Sequence, residues 1–113
     1  MNKLRELTET RKKSHSRFLK LDSKVYMKMI EMEMETYKEG ALSGKEKELI
    51  AVGISVVINC ESCMQWHIEQ AVNKGATERE ILEAIEVGIE MGGGPASVSA
   101  RFALEVMDDV IPE

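Results

Sequence analysis

The sequence predicts an all-α fold, a single-domain helical bundle of about five to seven helices that covers residues 1–113. Three observations carry this prediction: helix start and stop signals recur along the chain, apolar residues recur at helical spacing, and no segment is strongly typical of a strand. A chain of 113 residues is long enough for one domain with a modest core. Since only 4% of the residues are aromatic, the core must be aliphatic, with eight methionines filling gaps.

The first twenty residues are treated as a mobile or swapped N-terminal arm. The segment from Leu4 to about Lys13 contains good helix formers, but its apolar residues show weak periodicity. Phe18 and Leu19 are expected to form a short packing segment. The arm is therefore expected to contribute little to the core.

A methionine-rich helix is predicted next, capped by Asp22 or Ser23, running to about Tyr37 and stopped by Gly40. One broad side of this helix has little polar surface. Its apolar side chains are Val25, Met27, Met29, Ile30, Met32, Met34 and Tyr37. Because a soft apolar face suits a partner or subunit interface, a non-enzymatic binding or assembly module is one functional alternative.

A central helix is predicted from a capping box, in which Ser43 is followed by Glu46. The following run, residues 49–58, is rich in β-branched residues and on periodicity alone would suit a buried strand. The capping box and the length of the segment favour a helix to about Val57. Since this helix is apolar all round, it should be central, and Asn59 fits its end or the next N-cap.

Three further helix signals follow. A helix is expected from about Cys60 to Asn73 and is closed by Gly75. Thr77 with Glu80 forms a second capping box, which opens a helix that ends at the Gly92-Gly93-Gly94 turn. Pro95 then suits the first turn of a last helix. The apolar positions of the last helix are Val98, Phe102, Ala103, Val106 and Met107.

Charge and hydropathy argue against several partners. The net charge of −5 and the pI of about 5.2 speak against nucleic acid and anionic membrane surfaces. The short basic stretch Arg11-Lys12-Lys13 is interpreted as a solvated face. The longest apolar run is too short to span a bilayer, and Met1 leads directly into charged sequence, so no signal peptide is predicted. We therefore expect a cytoplasmic protein.

Cys60-Glu61-Ser62-Cys63 is the main chemical feature of the chain, because cytoplasmic cysteines at this spacing are more often catalytic or metal-binding than structural. The thiolate is the reactive form of cysteine, and a helix N-terminus stabilises it with unsatisfied N–H groups and the positive end of the dipole. The spacing lets the two sulfurs close a small disulfide ring across the first turn. The pair is thus interpreted as one two-electron redox couple.

His67 and Glu48 are the other candidate site residues. His67 follows Cys63 by four residues, hence on the same helix face, where an imidazole can take the Cys63 proton or stabilise its thiolate. Glu48 lies twelve residues before Cys60. If the chain reverses near residues 58–60, Glu48 comes level with His67 and can hold the imidazole tautomer. The alternative is that Glu48 belongs to a solvated first turn.

Two alternatives to a redox couple are weighed. The cysteines can be small buried hydrophobic residues, which the register with His67 disfavours. Cys60, Cys63 and His67 can also ligate zinc, but a fourth ligand is not evident. His15 is the other histidine of the chain and is expected to be an exposed arm residue. No metal or cofactor is therefore assigned.

The spacing of Glu48, Cys60, Cys63 and His67 resembles the signature of the carboxymuconolactone decarboxylase superfamily, and in particular its alkylhydroperoxidase D-like (AhpD-like) branch. The Gly92-Gly93-Gly94-Pro95-Ala96 turn supports this resemblance, which covers roughly Ser43 to Val106. The resemblance implies an all-helical fold that assembles into homo-oligomers, commonly trimers or hexamers. It also implies a dithiol that reduces peroxides or relays electrons as a disulfide reductase, with a dithiol reductant as partner.

The resemblance also implies roles for individual residues. Cys63 would be the inner thiol, activated through His67 and Glu48, and Cys60 the more exposed partner that closes the disulfide and meets the reductant. The best-known peroxidase members carry a histidine just before the second cysteine, where this chain has Ser62. This departure favours general dithiol redox chemistry over a strict peroxidase. The decarboxylase branch generally lacks the cysteine pair, so a decarboxylase-type lyase is kept as a lesser alternative.

Overall fold

The computed structural model describes residues 2–111, and within this range it contains six α-helices and no strand. This confirms the predicted all-α class. The helices are α1 (Lys3–Lys20), α2 (Lys24–Thr36), α3 (Gly44–Val57), α4 (Glu61–Asn73), α5 (Glu78–Gly92) and α6 (Gly94–Val110). The chain divides into two compact units, one up to Lys38 and one from Glu39 onward. The single-domain assignment and the swapped arm stay predictions.

The first unit begins with a longer helix than the sequence suggested. Asn2 caps α1, its side-chain oxygen accepting from the N–H groups of Leu4 and Arg5 at 2.7 and 3.3 Å. The helix continues past Lys13 to Lys20, so the segment around Phe18 is helical rather than separate. Strong helix formers and an N-cap are sufficient for this, although the apolar periodicity is weak.

A tight corner joins α1 to α2. Leu21 ends α1, Asp22 has a positive φ of 54°, and Ser23 caps α2, its hydroxyl accepting from the Tyr26 N–H at 3.2 Å. The cap is thus Ser23, one of the two residues proposed from the sequence. The Tyr26 ring stacks on Phe18 with centroids 4.3 Å apart.

The methionine-rich helix α2 ends at Thr36 with Tyr37 as its C-cap, which confirms the predicted end, but Gly40 is not the residue that stops it. The Tyr37 N–H still bonds to the Glu33 carbonyl at 3.3 Å, so the final turn closes without a glycine. No residue of α2 is buried. Val25, Met29 and Met32 repeat at helical spacing and are 83%, 53% and 64% exposed.

In the second unit, α3 packs against α4, α5 and α6, as its apolar character predicted. Buried side chains from all four helices fill the core of this unit. They include Val52, Val56, Met64, Ile68, Ile81, Ile85, Phe102 and Val106. The core is aliphatic apart from one phenylalanine, as the composition predicted. The expectation that all the methionines fill gaps in it is wrong, because of the described methionines Met64 and Met107 are buried and the others are exposed.

Both predicted capping boxes are present. Ser43 and Glu46 exchange hydrogen bonds at the start of α3, and Thr77 and Glu80 do so at the start of α5. The bond from the Ser43 backbone N–H lowers the pKa of the Glu46 carboxyl, and the bond from the Thr77 backbone N–H lowers that of Glu80. These bonds fix where α3 and α5 begin.

Two glycines let α3 and α5 approach closely. A Cβ atom at Gly53 would lie 3.0 Å from the Ala84 carbonyl oxygen, and one at Gly88 would lie 2.6 Å from the Gly53 carbonyl oxygen. Because both obstacles are backbone atoms, neither can move aside by a rotamer change. Glycine at these positions is therefore a packing requirement.

The hydropathy of the helices gives one further result. Within the residues that the structure describes, no helix combines the length and the apolar character needed to cross a membrane. The most apolar helix, α3, has 14 residues and carries charged side chains in its first turn.

The Gly88→Ala variant is expected to be less stable than the wild type by about 1–3 kcal/mol, because the added methyl overpacks the crossing of α3 and α5. Urea unfolding followed by circular dichroism would measure this. Gly94→Ala is the matched control, since nothing lies within 4 Å of a Cβ atom there. It should change the free energy of unfolding by less than about 0.5 kcal/mol. Equal stabilities of the two variants would contradict the packing argument.

Candidate active site

The site is organised by the corner between α3 and α4. Asn59 has a positive φ of 54°, its N–H bonds to the Val56 carbonyl at 3.3 Å, and the Cys60 N–H bonds to the Ser55 carbonyl at 3.0 Å. These two bonds form a Schellman motif that ends α3. Cys60 also caps α4, so one residue closes the first helix and opens the next. Asn59 is therefore the end of α3 and not the N-cap of α4.

The two cysteines are joined as a disulfide across the first turn of α4. Their Cα atoms are 5.1 Å apart. The Cys63 backbone N–H points at the Cys60 sulfur, 3.1 Å away, in the place where an N-cap oxygen usually accepts. The start of α4 thus directs both a hydrogen-bond donor and its dipole at the sulfur pair.

Glu48 and His67 meet between α3 and α4. The Glu48 side chain is buried, and its Oε1 lies 2.7 Å from Nδ1 of His67. This is the contact expected if the chain reverses near residues 58–60, so the solvated alternative for Glu48 is wrong. His67 lies one turn after Cys63 on α4, on the face that carries this cysteine. A carboxylate at Nδ1 holds the orientation of the imidazole ring and favours one of its tautomers.

Lys74 is a member of the site that the sequence did not point to. Its Nζ lies 3.0 Å from the second carboxylate oxygen, Oε2, of Glu48, and the lysine side chain is one third exposed. His67 and Lys74 are seven residues apart, hence two turns along the same face of α4. The seven-residue spacing from His67 was the one feature of the sequence that could have indicated Lys74. Many lysines near the end of a helix have such a spacing to some residue of the same face, so the feature is not specific.

A contact from α6 fixes the residue before the disulfide. The Ser99 hydroxyl donates to Oδ1 of Asn59 at 3.0 Å, and Ser99 is itself buried. The left-handed backbone of Asn59 and this bond together set the direction in which the chain enters α4. Sequence reasoning noted Asn59 but gave no partner for it.

The zinc alternative can be compared with the side-chain positions. Among residues 2–111, no group of three or more His, Cys, Asp or Glu side chains is arranged to hold a metal ion. His15, the other histidine, is half-buried and not exposed as expected. Its Nδ1 lies 2.6 Å from the Tyr26 hydroxyl, so it is a structural contact of the first unit.

Comparison with known proteins gives the same family that the cysteine and histidine spacing suggested. The family model described as "Carboxymuconolactone decarboxylase family" matches residues 24–106. The chain belongs to this family. An uncharacterized protein in the cox locus of Paracoccus denitrificans is 40% identical over 74 residues, which are 66% of this chain and 67% of that protein. An uncharacterized protein of Cupriavidus necator is 39% identical over 71 residues, 63% of each chain.

Solved structures of carboxymuconolactone decarboxylase family proteins share the fold. One from Legionella pneumophila is 29% identical and superposes with a TM-score of 0.92, covering 99% of this chain and 100% of its own. One from Thermotoga maritima, for which an involvement in antioxidative response has been suggested, is 24% identical with a TM-score of 0.83, covering 92% and 88%. The six-helix arrangement is therefore that of the family.

The conformation of Asn59 can be tested by two substitutions that both remove the bond to Ser99. Asn59→Ala places a Cβ atom in a left-handed backbone, whereas Asn59→Gly does not. We expect the alanine variant to be less stable than the glycine variant by about 1 kcal/mol, because only glycine avoids the steric cost of positive φ. Urea unfolding of the oxidised proteins measures the difference. An alanine variant at least as stable as the glycine variant would contradict it.

Proposed function

We propose that this family member is a thiol-dependent oxidoreductase that uses the Cys60–Cys63 dithiol to reduce peroxides or to relay electrons as a disulfide reductase. One observation carries the proposal: a disulfide across the first turn of α4 lies one turn from His67, which is held by the buried carboxylate of Glu48. A redox couple, a proton carrier and a group that orients the carrier are the parts that such chemistry needs.

The proposed peroxide reaction is a two-electron oxidation of the reduced dithiol. The Cys63 thiolate attacks one peroxide oxygen, the O–O bond breaks, and the product leaves as an alcohol or water after taking up a proton. The sulfur of Cys63 is then a sulfenic acid. The Cys60 thiol attacks that sulfur, water leaves, and the disulfide forms. An external dithiol reduces the disulfide and is itself oxidised.

His67 is proposed to carry the proton in both directions. It takes the proton of the Cys63 thiol before attack and returns one when a disulfide is reduced and Cys63 leaves. Glu48 holds Nδ1 of the ring at 2.7 Å, which favours the tautomer with Nε2 unprotonated. Both roles require the one-turn spacing between Cys63 and His67.

Family membership supports redox chemistry without selecting a substrate. The suggested antioxidative involvement of the Thermotoga maritima protein agrees with the proposal. Ser62 stands before Cys63, so His67 is the histidine that the active-site segment supplies. Reduction of a disulfide needs fewer proton donors than cleavage of a peroxide, and we therefore propose the broader activity of a dithiol oxidoreductase. We also propose that the protein acts in the cytoplasm.

Oxidation of the reduced protein by peroxide or by a small aromatic disulfide is expected to remove both alkylatable thiols. Mass spectrometry after alkylation would show two labels before oxidant and none after it, since the chain has two cysteines. Cys60→Ser should still react with peroxide and accumulate a trappable sulfenic acid, because the attacking thiol remains. Cys63→Ser should not. His67→Ala should slow oxidation about a hundredfold.

The two serine variants control for each other, since each leaves one thiol on the same helical turn. Sulfenic acid formed in Cys63→Ser but not in Cys60→Ser would reverse the proposed roles. If both thiols can still be alkylated after treatment with every peroxide and disulfide, the proposed function is wrong.

We also propose that the chain forms a homo-oligomer, a trimer or hexamer, in which a second copy covers the stripe of Val25, Met29 and Met32 on α2. These residues are more than half exposed in one chain, and α2 buries no residue. Such a stripe of apolar side chains suits a partner surface.

Light scattering is expected to give a mass three or six times the 12.7 kDa of one chain. The double variant Met29→Glu/Met32→Glu should lower this mass, because it places two charges in the interface. Met34→Glu changes an equally exposed methionine on the opposite side of α2 and should keep the wild-type mass. A monomeric wild type would contradict the proposal.

A further inference from the structure

The carboxylate of Glu48 has two basic partners on α4, and the proposed proton transfer uses one of them. His67 occupies Oε1 at 2.7 Å and Lys74 occupies Oε2 at 3.0 Å. We propose that Lys74 is a positioning residue that keeps Glu48 ionised while His67 is uncharged, so that His67 can act as a base. This inference rests on the proposed function for its use, but the charge arrangement can be tested without any turnover.

The argument begins with the cost of burying charge. Glu48 is 2% exposed, and an ionised carboxylate out of water is stable only with hydrogen bonds and opposite charge. If His67 were the one basic partner, an ionised Glu48 would be balanced only by a protonated imidazole. Lys74 supplies the positive charge instead. The three side chains are then neutral together when the His67 ring is uncharged.

The position of Lys74 is fixed by the end of α4. Lys74 is the C-cap, and the next residue, Gly75, has a φ of 92°. The Gly75 N–H bonds to the Val72 carbonyl at 3.0 Å, and the Ala76 N–H bonds to the Ala71 carbonyl at 2.9 Å, so a Schellman motif closes the helix. The lysine stem therefore starts from an ordered backbone, although its side chain is one third exposed.

The charged groups around Glu48 leave this role to Lys74. Within residues 2–111, the hydrogen-bond and ion-pair partners of the Glu48 side chain are His67 and Lys74, both from α4. Lys45 lies one turn earlier on α3 but binds Glu80 of α5 at 2.9 Å. In the same part of the chain, neither α5 nor α6 supplies an ion-pair partner to Glu48. Lys74 is thus the cation that faces the second carboxylate oxygen.

For the dithiol, the consequence is that the His67 side chain is present as a neutral imidazole. A protonated His67 can stabilise a thiolate but cannot accept the proton of the Cys63 thiol. With Lys74 in place, the buried carboxylate holds the ring without requiring its charge. Loss of Lys74 should make the Glu48–His67 pair bind a proton more tightly. Imidazole is more basic than a carboxylate by about two pH units, so that proton resides on His67.

Nuclear magnetic resonance of the histidine rings in the oxidised protein tests this directly, because the disulfide removes both cysteine titrations. In Lys74→Met, the charge change of His67 should move to higher pH, since a cation near the pair has been lost. Lys74→Gln is a second neutral variant in case the methionine variant folds poorly. Lys74→Arg should restore the wild-type titration. His15 is the internal control, and its ring signals should be unchanged throughout.

An unchanged or lower titration range for His67 in both neutral variants would overturn the role of Lys74. So would an arginine variant that behaves like them. Peroxide oxidation of the reduced proteins at neutral pH then separates the two proposals. Slower oxidation in Lys74→Met than in Lys74→Arg supports the link to redox chemistry. A wild type whose thiols are oxidised neither by peroxide nor by a disulfide would remove the proposed function, while the histidine titration would still decide the charge role of Lys74.

Discussion

The buried carboxylate of Glu48 is the constraint on which the second unit depends. At 2% exposure it must meet its hydrogen-bond partners inside the protein, and both come from α4. Glu48 lies in the second turn of α3, whereas His67 and Lys74 lie in the middle and at the end of α4. Glu48 can reach both of these residues only if α3 and α4 run antiparallel with one particular register between them. The same register brings the end of α3 to Cys60.

The rest of the unit holds this register from the opposite side. Gly53 and Gly88 let the backbones of α3 and α5 come together, so α3 cannot slide or rotate without a backbone clash. Ser99 of α6 then fixes Asn59 at the corner. The acid–base pair is therefore positioned by contacts at two places, within α3 and at the corner after it, which is a firmer support than a loop would give.

Much of the fold was predictable because its signals are local. Capping boxes such as Ser43 with Glu46, and the C-x-x-C before a helix, act within one turn of chain. The contact of Glu48 with His67 was one of two interpretations of the sequence, and it followed only if the chain reversed near residues 58–60, as it does. The length of α1 was not predictable, because its apolar residues show weak periodicity in the sequence, and its N-cap Asn2 was not considered.

The remaining site residues depend on distant contacts that sequence spacing does not encode. Lys74 resembles any lysine at a helix C-terminus until the carboxylate is placed beside it. Asn59 tolerates a left-handed backbone, but its bond to Ser99 joins residues forty positions apart. Gly53 and Gly88 are unremarkable glycines in apolar helices until the crossing of α3 and α5 is known. In each case the physical reason lies in a partner from another element or at the far end of the helix.

The corner between α3 and α4 shows how a redox group can be introduced into an ordinary helix junction. The corner between α1 and α2 has the same construction: Asp22 has the same φ of 54° as Asn59, and Ser23 closes one helix and caps the next, as Cys60 does. The backbone bonds of both corners run to the same two positions of the preceding helix. Since the junction is made by backbone, the side chain at the cap can change from hydroxyl to thiol without altering the turn. What makes Cys60 chemically different from Ser23 is the second cysteine three residues on, together with the proton carrier that α3 holds in place.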